Sequence, residues 1–129
     1  MTMELKMLAW SVLLGLVHVM VAAALATGQR GLHWNVGNRD GAPAPLTGAA
    51  ARATRASANF LETFPLFAAA VLALLLAQRG DAHTALGAQL YFWARLAYLP
   101  VYVAGVPYLR SAVWGVALYG LLAVLLGLF

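Results

Sequence analysis

The chain alternates long apolar runs with short polar breaks. A bilayer core about 30 Å thick takes roughly 20 apolar residues as a helix, and four runs meet that length: residues 5–26, 48–78, 83–103 and 111–129. In the first, only Lys6 at the edge and His18 within are ionisable. The second has a polar outer half, with Arg52, Arg55, Asn59 and Glu62, and an apolar inner half from Phe64 to Ala77. The third contains one charge, Arg95, and the fourth none. The runs are continuous, not alternating, which excludes a β-barrel. Backbone polar groups facing lipid must be paired within their own segment, so each run is predicted to be a helix.

The breaks are unequal. Thr27 to Thr47 is polar and punctuated by Gly28, Gly31, Gly37, Gly41, Pro43 and Pro45. Arg79-Gly80-Asp81 is a tight turn, and the third link contains Gly105, Pro107 and Arg110. The expected fold is an all-α integral membrane four-helix bundle of up-down topology, one domain over residues 1–129. Ala24-Leu25-Ala26 has the small-x-small form of a signal-peptide cleavage site. The apolar run before it is too long for a signal peptide and starts with Glu4 beside Lys6, so the first span is expected to be retained.

Composition narrows the class further. Hydrophobic residues make up 64% and charged residues 9%, with mean hydropathy +0.82. A soluble domain this small has too little interior to hide that much apolar surface. A soluble monomer, a disordered chain and a nucleic-acid module are excluded. With no cysteine, a disulfide framework and a thiolate metal site are excluded too. The net charge of +4 matters less than where the cations fall. Arg30, Arg39, Arg52, Arg55 and Arg110 flank the first and third links, against Lys6 and Arg79 on the other side. That bias places the first and third links in the cytoplasm and both termini outside. The compact, Ala-rich chain leans toward a bacterial inner membrane.

A charge at the centre of a membrane helix costs roughly 2.5–3.5 kcal/mol on insertion scales, so such residues persist where they pair, face a polar cavity or bind something. At about 100° per residue, Arg52, Arg55, Asn59 and Glu62 fall within an arc of about 80°, and Tyr91, Arg95, Tyr98 and Tyr102 within about 60°. Two polar stripes in an otherwise apolar chain point to one lined cavity. A plain structural reading stays open: Glu62 neutralises Arg55 or Arg95, Arg52 anchors at the interface, and the tyrosines form an aromatic belt. That reading leaves a surplus, because the face sets three arginines, an Asn and three tyrosines against a single Glu. A cationic, donor-rich surplus suits a ligand carrying carboxylates.

Other polar residues point to less. His18 is expected to be a hydrogen-bonded packing residue, and His33 and His83 to be solvated. The histidines have no metal-ligand spacing, Asn35, Asn38 and Asp40 match no calcium loop, and there is no phosphate-binding glycine loop. The long first link is expected to turn or to cover the mouth of the cavity. Gly115, Gly120 and Gly127 are expected to permit close helix packing.

The stretch from Arg52 to Phe67 (RATRASANFLETFPLF) resembles the second-helix signature of the MAPEG family, the membrane-associated proteins in eicosanoid and glutathione metabolism. Every fixed position of R-x-x-R-A-x-x-N-x-x-E-x-x-P is present. Ala94 to Tyr98, Tyr102 and Leu109-Arg110-Ser111 are similar to the family's third helix and following link. Thr63 stands where some members carry Tyr. The resemblance implies a homotrimer of four-helix protomers in membrane lipid, with glutathione as co-substrate at the protomer interfaces near the cytoplasmic side. Arg55, Asn59 and Glu62, with Tyr98 and Tyr102, fall on glutathione-contacting positions; Arg52 shares their stripe, and Arg30 corresponds loosely to a first-link arginine. Arg110, followed by Ser111, matches the arginine that favours the thiolate. The implied activity is that of a glutathione transferase or peroxidase, adding thiolate to a lipophilic small molecule. The alternatives are a family member that binds lipid or thiol without turnover, a polar stripe serving only as trimer glue, and a small transporter using Glu62.

Overall fold

The computed structural model describes residues 1–129 as four long helices and one short one. They are α1 (Met3–Arg30), α2 (Leu32–Val36), α3 (Gly48–Ala77), α4 (Ala82–Ala104) and α5 (Pro107–Leu126), with no strands. The short helix α2 lies in the first link, where the sequence predicts only turns. The last helix begins four residues before the apolar run that marks it, because Pro107 sits in its first turn, where a missing N–H leaves no unsatisfied partner. The link before it shrinks to Gly105 and Val106. Gly105, at φ +81°, ends α4 in a left-handed turn that L side chains resist.

Contacts at both ends show consecutive long helices running in alternating directions. At one end Gln29 clamps Thr47: its Nε2 donates to the Thr47 carbonyl at 2.8 Å, and its Oε1 accepts from the Thr47 N–H at 3.0 Å. At the opposite end the buried Glu4 of α1 accepts from Thr84 Oγ1 of α4 at 2.7 Å, and Arg79 Nε donates to the Gly127 carbonyl at 3.3 Å. Helices α1 and α5 each pack on α3 and α4, and their backbones do not approach each other closely.

The main apolar core lies between these ends. It includes Leu14 of α1, Phe60, Phe67 and Leu74 of α3, Ala88 and Tyr91 of α4, and Leu121 and Val124 of α5. Only 29 of 129 residues are buried, while Leu16, Met20, Leu66, Leu76, Leu86, Trp93 and Leu126 lie exposed. Apolar exposure on that scale marks a surface made for hydrocarbon. Three helices, α1, α3 and α5, are long and apolar enough to cross a membrane. Of the four expected spans, α4 stands apart: at 23 residues it is about 34 Å long, but its composition is more polar. Its Tyr91, Arg95, Tyr98 and Tyr102 are all buried, so that polarity is turned inward.

The first turn of α4 carries its own pH dependence. The Asp81 carboxylate accepts from the Thr84 N–H at 2.9 Å, and Thr84 Oγ1 accepts from the Asp81 N–H at 2.8 Å, a reciprocal cap. That backbone N–H holds the Asp81 carboxyl below its ordinary value of 3.8. A depressed acid stabilises the fold fully above its ordinary value and loses that contribution as pH falls through the folded one. Asp81→Ala is therefore expected to speed amide exchange over residues 82–85 at neutral pH. In the parent protein the protection of these amides, taken relative to their intrinsic exchange rates, should persist at pH 3.8 and fall only below it, as the lowered folded value is crossed; protection already lost above 3.8 would contradict the assignment.

Candidate functional site

The two polar stripes face each other across α3 and α4. Arg52 Nε donates to the Val103 carbonyl at 2.8 Å, and Arg55 Nε to the Tyr102 hydroxyl at 3.3 Å. Arg95 Nη1 donates to Asn59 Oδ1 at 2.9 Å. One turn deeper, the Thr63 and Tyr91 hydroxyls share a hydrogen bond at 3.1 Å, and Tyr91 stacks on Phe67 with centroids 3.9 Å apart. The three tyrosines therefore do not form a belt at the lipid surface. Tyr91 belongs to the core, while Tyr98 and Tyr102 pack edge to face at 5.4 Å beside a small cluster with Ala56 and Leu99.

Above Tyr98 and Tyr102 opens a cavity of about 270 Å³ lined by Asn59, Tyr98, Tyr102, Arg110, Ser111 and Trp114. Three helices build it: α3 supplies Asn59, α4 the tyrosines, and α5 the rest. Arg110 closes the first turn of α5, with Ser111 next to it, and is not in a loose link, because the helix starts at Pro107. The Arg110 guanidinium sits over the Tyr102 ring, 4.8 Å from its centroid, so its position is fixed by the same tyrosine that receives Arg55. Five expected site residues meet here. Trp114 is an addition, and the signal for it was its spacing of four residues from Arg110, one helical turn.

The other expected residues are placed differently. Arg55 reaches the rim through Tyr102, and Arg52 is bound to the end of α4. Glu62 is exposed and outside the cavity lining, so it does not neutralise Arg95 by a direct hydrogen bond. Arg30 lies in a separate pocket of about 330 Å³ with Thr27, Trp34, Asn35 and Arg39, and its Nε donates to the Ala44 carbonyl at 2.8 Å. His18 is buried with both ring nitrogens unpartnered, and stacks on Phe60 at 4.8 Å. It packs as expected, but through its ring face and not through a hydrogen bond. No three His, Asp or Glu side chains gather in the arrangement a metal ion needs.

A larger concavity, about 770 Å³, is an apolar groove between α1 and α4 lined by residues such as Trp10, Leu13, Val17, Trp93, Leu96 and Pro100. Its α4 residues lie about half a turn of helix away from Tyr98 and Tyr102. The groove therefore opens on the opposite face of α4 from the polar cavity, and size alone does not make it the chemical site.

From the α3 motif, Asn59 thus lines and Arg55 rims a polar cavity inside an apolar helical protein. The profile of the MAPEG family matches residues 7–129, nearly the whole length. The chain belongs to the MAPEG family. No curated protein and no solved structure matches it. As a MAPEG protein with three helices apolar enough to cross a bilayer, it is an integral membrane protein of the glutathione and eicosanoid metabolism type. Within this MAPEG chain the signature residues divide in two. Asn59 faces the cavity, whereas Arg52, Arg55 and Glu62 lie at or beyond its edge.

Proposed function

We propose that this MAPEG protein binds glutathione in the Asn59–Tyr98–Tyr102–Arg110 cavity and adds its thiolate to lipophilic electrophiles. The observation that carries this reading is the cavity's donor chemistry. An amide, a guanidinium, two phenols and a hydroxyl converge there within an otherwise apolar protein, and no carboxylate lines it. Glutathione brings two carboxylates, which arginine holds bidentately. It also brings a thiol that is mostly protonated near its free pKa; a fixed cation lowers that pKa and favours the nucleophilic thiolate. Arg110 is the cation in the cavity, and Ser111 follows it as a second donor. The electrophile arrives from the membrane and glutathione from the aqueous side, which accounts for a soluble thiol being used inside a membrane protein. The product is the thioether, formed as the thiolate bonds to carbon and the leaving group departs.

In this reading the four long helices form an up-down bundle that works as a homotrimer, with the arginine-rich end and the cavity on the cytoplasmic side. Exposed Glu62 supports the assembly. A carboxylate on the surface of an apolar span is costly in lipid, and a neighbouring copy gives it polar cover. Arg55 and the Arg30 pocket face outward in the same way and are available to a tripeptide bound between copies.

Calorimetric titration of the purified protein with glutathione tests the binding step, and saturable heat is expected. A folded oligomer that takes up no glutathione overturns the reading. Glu62→Gln and Asn59→Ala separate the polar stripe's two roles: weakened glutathione binding with the oligomer intact is expected, whereas dissociation into single chains would make the stripe assembly glue.

A further inference from the structure

We infer that Arg95, which does not line the cavity, is a positioning residue that turns the Asn59 amide so that its N–H hydrogens face the ligand. This rests on the proposed glutathione site. Asn59 lines the cavity from α3, and an asparagine amide offers oxygen on one edge and NH2 on the other. Arginine has donors only, so whichever edge meets Arg95 must be the oxygen. Arg95 Nη1 lies 2.9 Å from Asn59 Oδ1, which leaves Nδ2 for whatever enters the cavity. The effect is to make the cavity wall donor-only at that point. Such a wall accepts a carboxylate or carbonyl and rejects an ammonium.

The way Arg95 is held supports a role beyond packing. Its side chain is 1% exposed, yet Nε and Nη2 have no hydrogen-bond partner. It is held instead by ring faces, Tyr98 at 4.3 Å and Phe60 at 5.3 Å from the guanidinium carbon. Phe60 in turn stacks on His18 of α1. A buried guanidinium with one hydrogen bond is a poor device for stability alone, since an apolar side chain of similar volume often serves a core as well or better. The one bond it makes goes to the one cavity residue whose orientation is ambiguous. Tyr98, the ring beneath Arg95, is itself a cavity wall, so the same cation fixes two walls at once.

The test compares glutathione dissociation constants and melting temperatures for Arg95→Lys, Arg95→Met, Asn59→Ala and the double variant Arg95→Met/Asn59→Ala. Lysine is also donor-only and should stay within about threefold of the parent. Arg95→Met frees the amide to turn, and Asn59→Ala removes the donor without adding a charge. Each should weaken binding about tenfold, the scale of one lost hydrogen bond. The double variant should be no weaker than Asn59→Ala alone, because both changes remove the same donor. Arg95→Met that lowers the melting temperature but leaves the dissociation constant unchanged overturns the inference. So do fold-changes that multiply in the double variant. Should the Arg95 variants not fold, parent-like binding by Asn59→Ala overturns it alone. Absence of glutathione binding in the parent overturns the functional reading instead. The Asn59 side-chain amide resonances then carry the test: Arg95→Met should shift them and Arg95→Lys should not, and the reverse pattern overturns the inference.

Discussion

Replacing Arg110 by alanine is expected to lower conjugation turnover about 100-fold, the scale seen when one preorganised charge or donor is removed from a reacting centre. The oligomer and the melting temperature should be unchanged. Arg110 is half-buried in the first turn of α5 and rests on Tyr102 rather than within the core. Its loss removes a cation without opening a packing hole. Two measurements check this: turnover with a chlorodinitrobenzene-type electrophile, and the ultraviolet absorbance of bound thiolate, which should disappear in the variant. Arg110→Lys retains the charge without the planar fork and should fall between. Unchanged thiolate absorbance in Arg110→Ala would remove this residue from its proposed role. A parent protein that binds glutathione but turns over no electrophile would place the chain among non-catalytic members.

Gly120→Leu is expected to be the most damaging single change to the fold. At the crossing of α4 and α5, a Cβ on Gly120 would run into the Gly87 carbonyl oxygen and lie 2.6 Å from the Tyr91 nitrogen. A Cβ on Gly87 would lie 2.8 Å from the Gly120 carbonyl oxygen and 2.7 Å from Ala123 Cβ. Two helix backbones cannot yield as a flexible side chain does, so the helices must separate. Overpacking of this kind costs about 3 kcal/mol or more. The same displacement would carry α4 and its Tyr98 and Tyr102 away from Arg110, so glutathione binding should fall with stability. Gly115 has nothing within 4 Å of its missing Cβ, and Gly115→Ala should be tolerated. Thermal unfolding in detergent checks both. Gly120→Leu melting with Gly115→Ala would contradict a tight crossing.

The helices and the two polar stripes were legible in the sequence because both follow from period alone. A continuous apolar run has few ways to satisfy its backbone in lipid, and a spacing of three and four residues fixes a face. Which face meets which neighbour is not a periodic property. Asn59 and Glu62 sit one turn apart on the same stripe, yet one lines the cavity and the other is exposed. Likewise Tyr91 shares a stripe with Tyr98 and Tyr102 but is drawn into the core by Phe67 and Thr63. Hydropathy also misses the start of α5, since Pro107, Tyr108 and Arg110 read as a link when taken one by one. Proline is a helix starter there, and that shift of one turn is what places Arg110 on a rigid element. Gly115 and Gly120 illustrate the same limit. Both were read as packing glycines, but only Gly120 faces another backbone.

The paired hydrogen bonds between Gln29 and Thr47 close the first link at its base. Inside that loop the Arg30 Nε bond to the Ala44 carbonyl ties the chain back to the end of α1 a second time. The stretch ahead of those two ties, Gly37 to Pro43, can thus change length by insertion or deletion over evolutionary time, while the register of the spans on either side stays put.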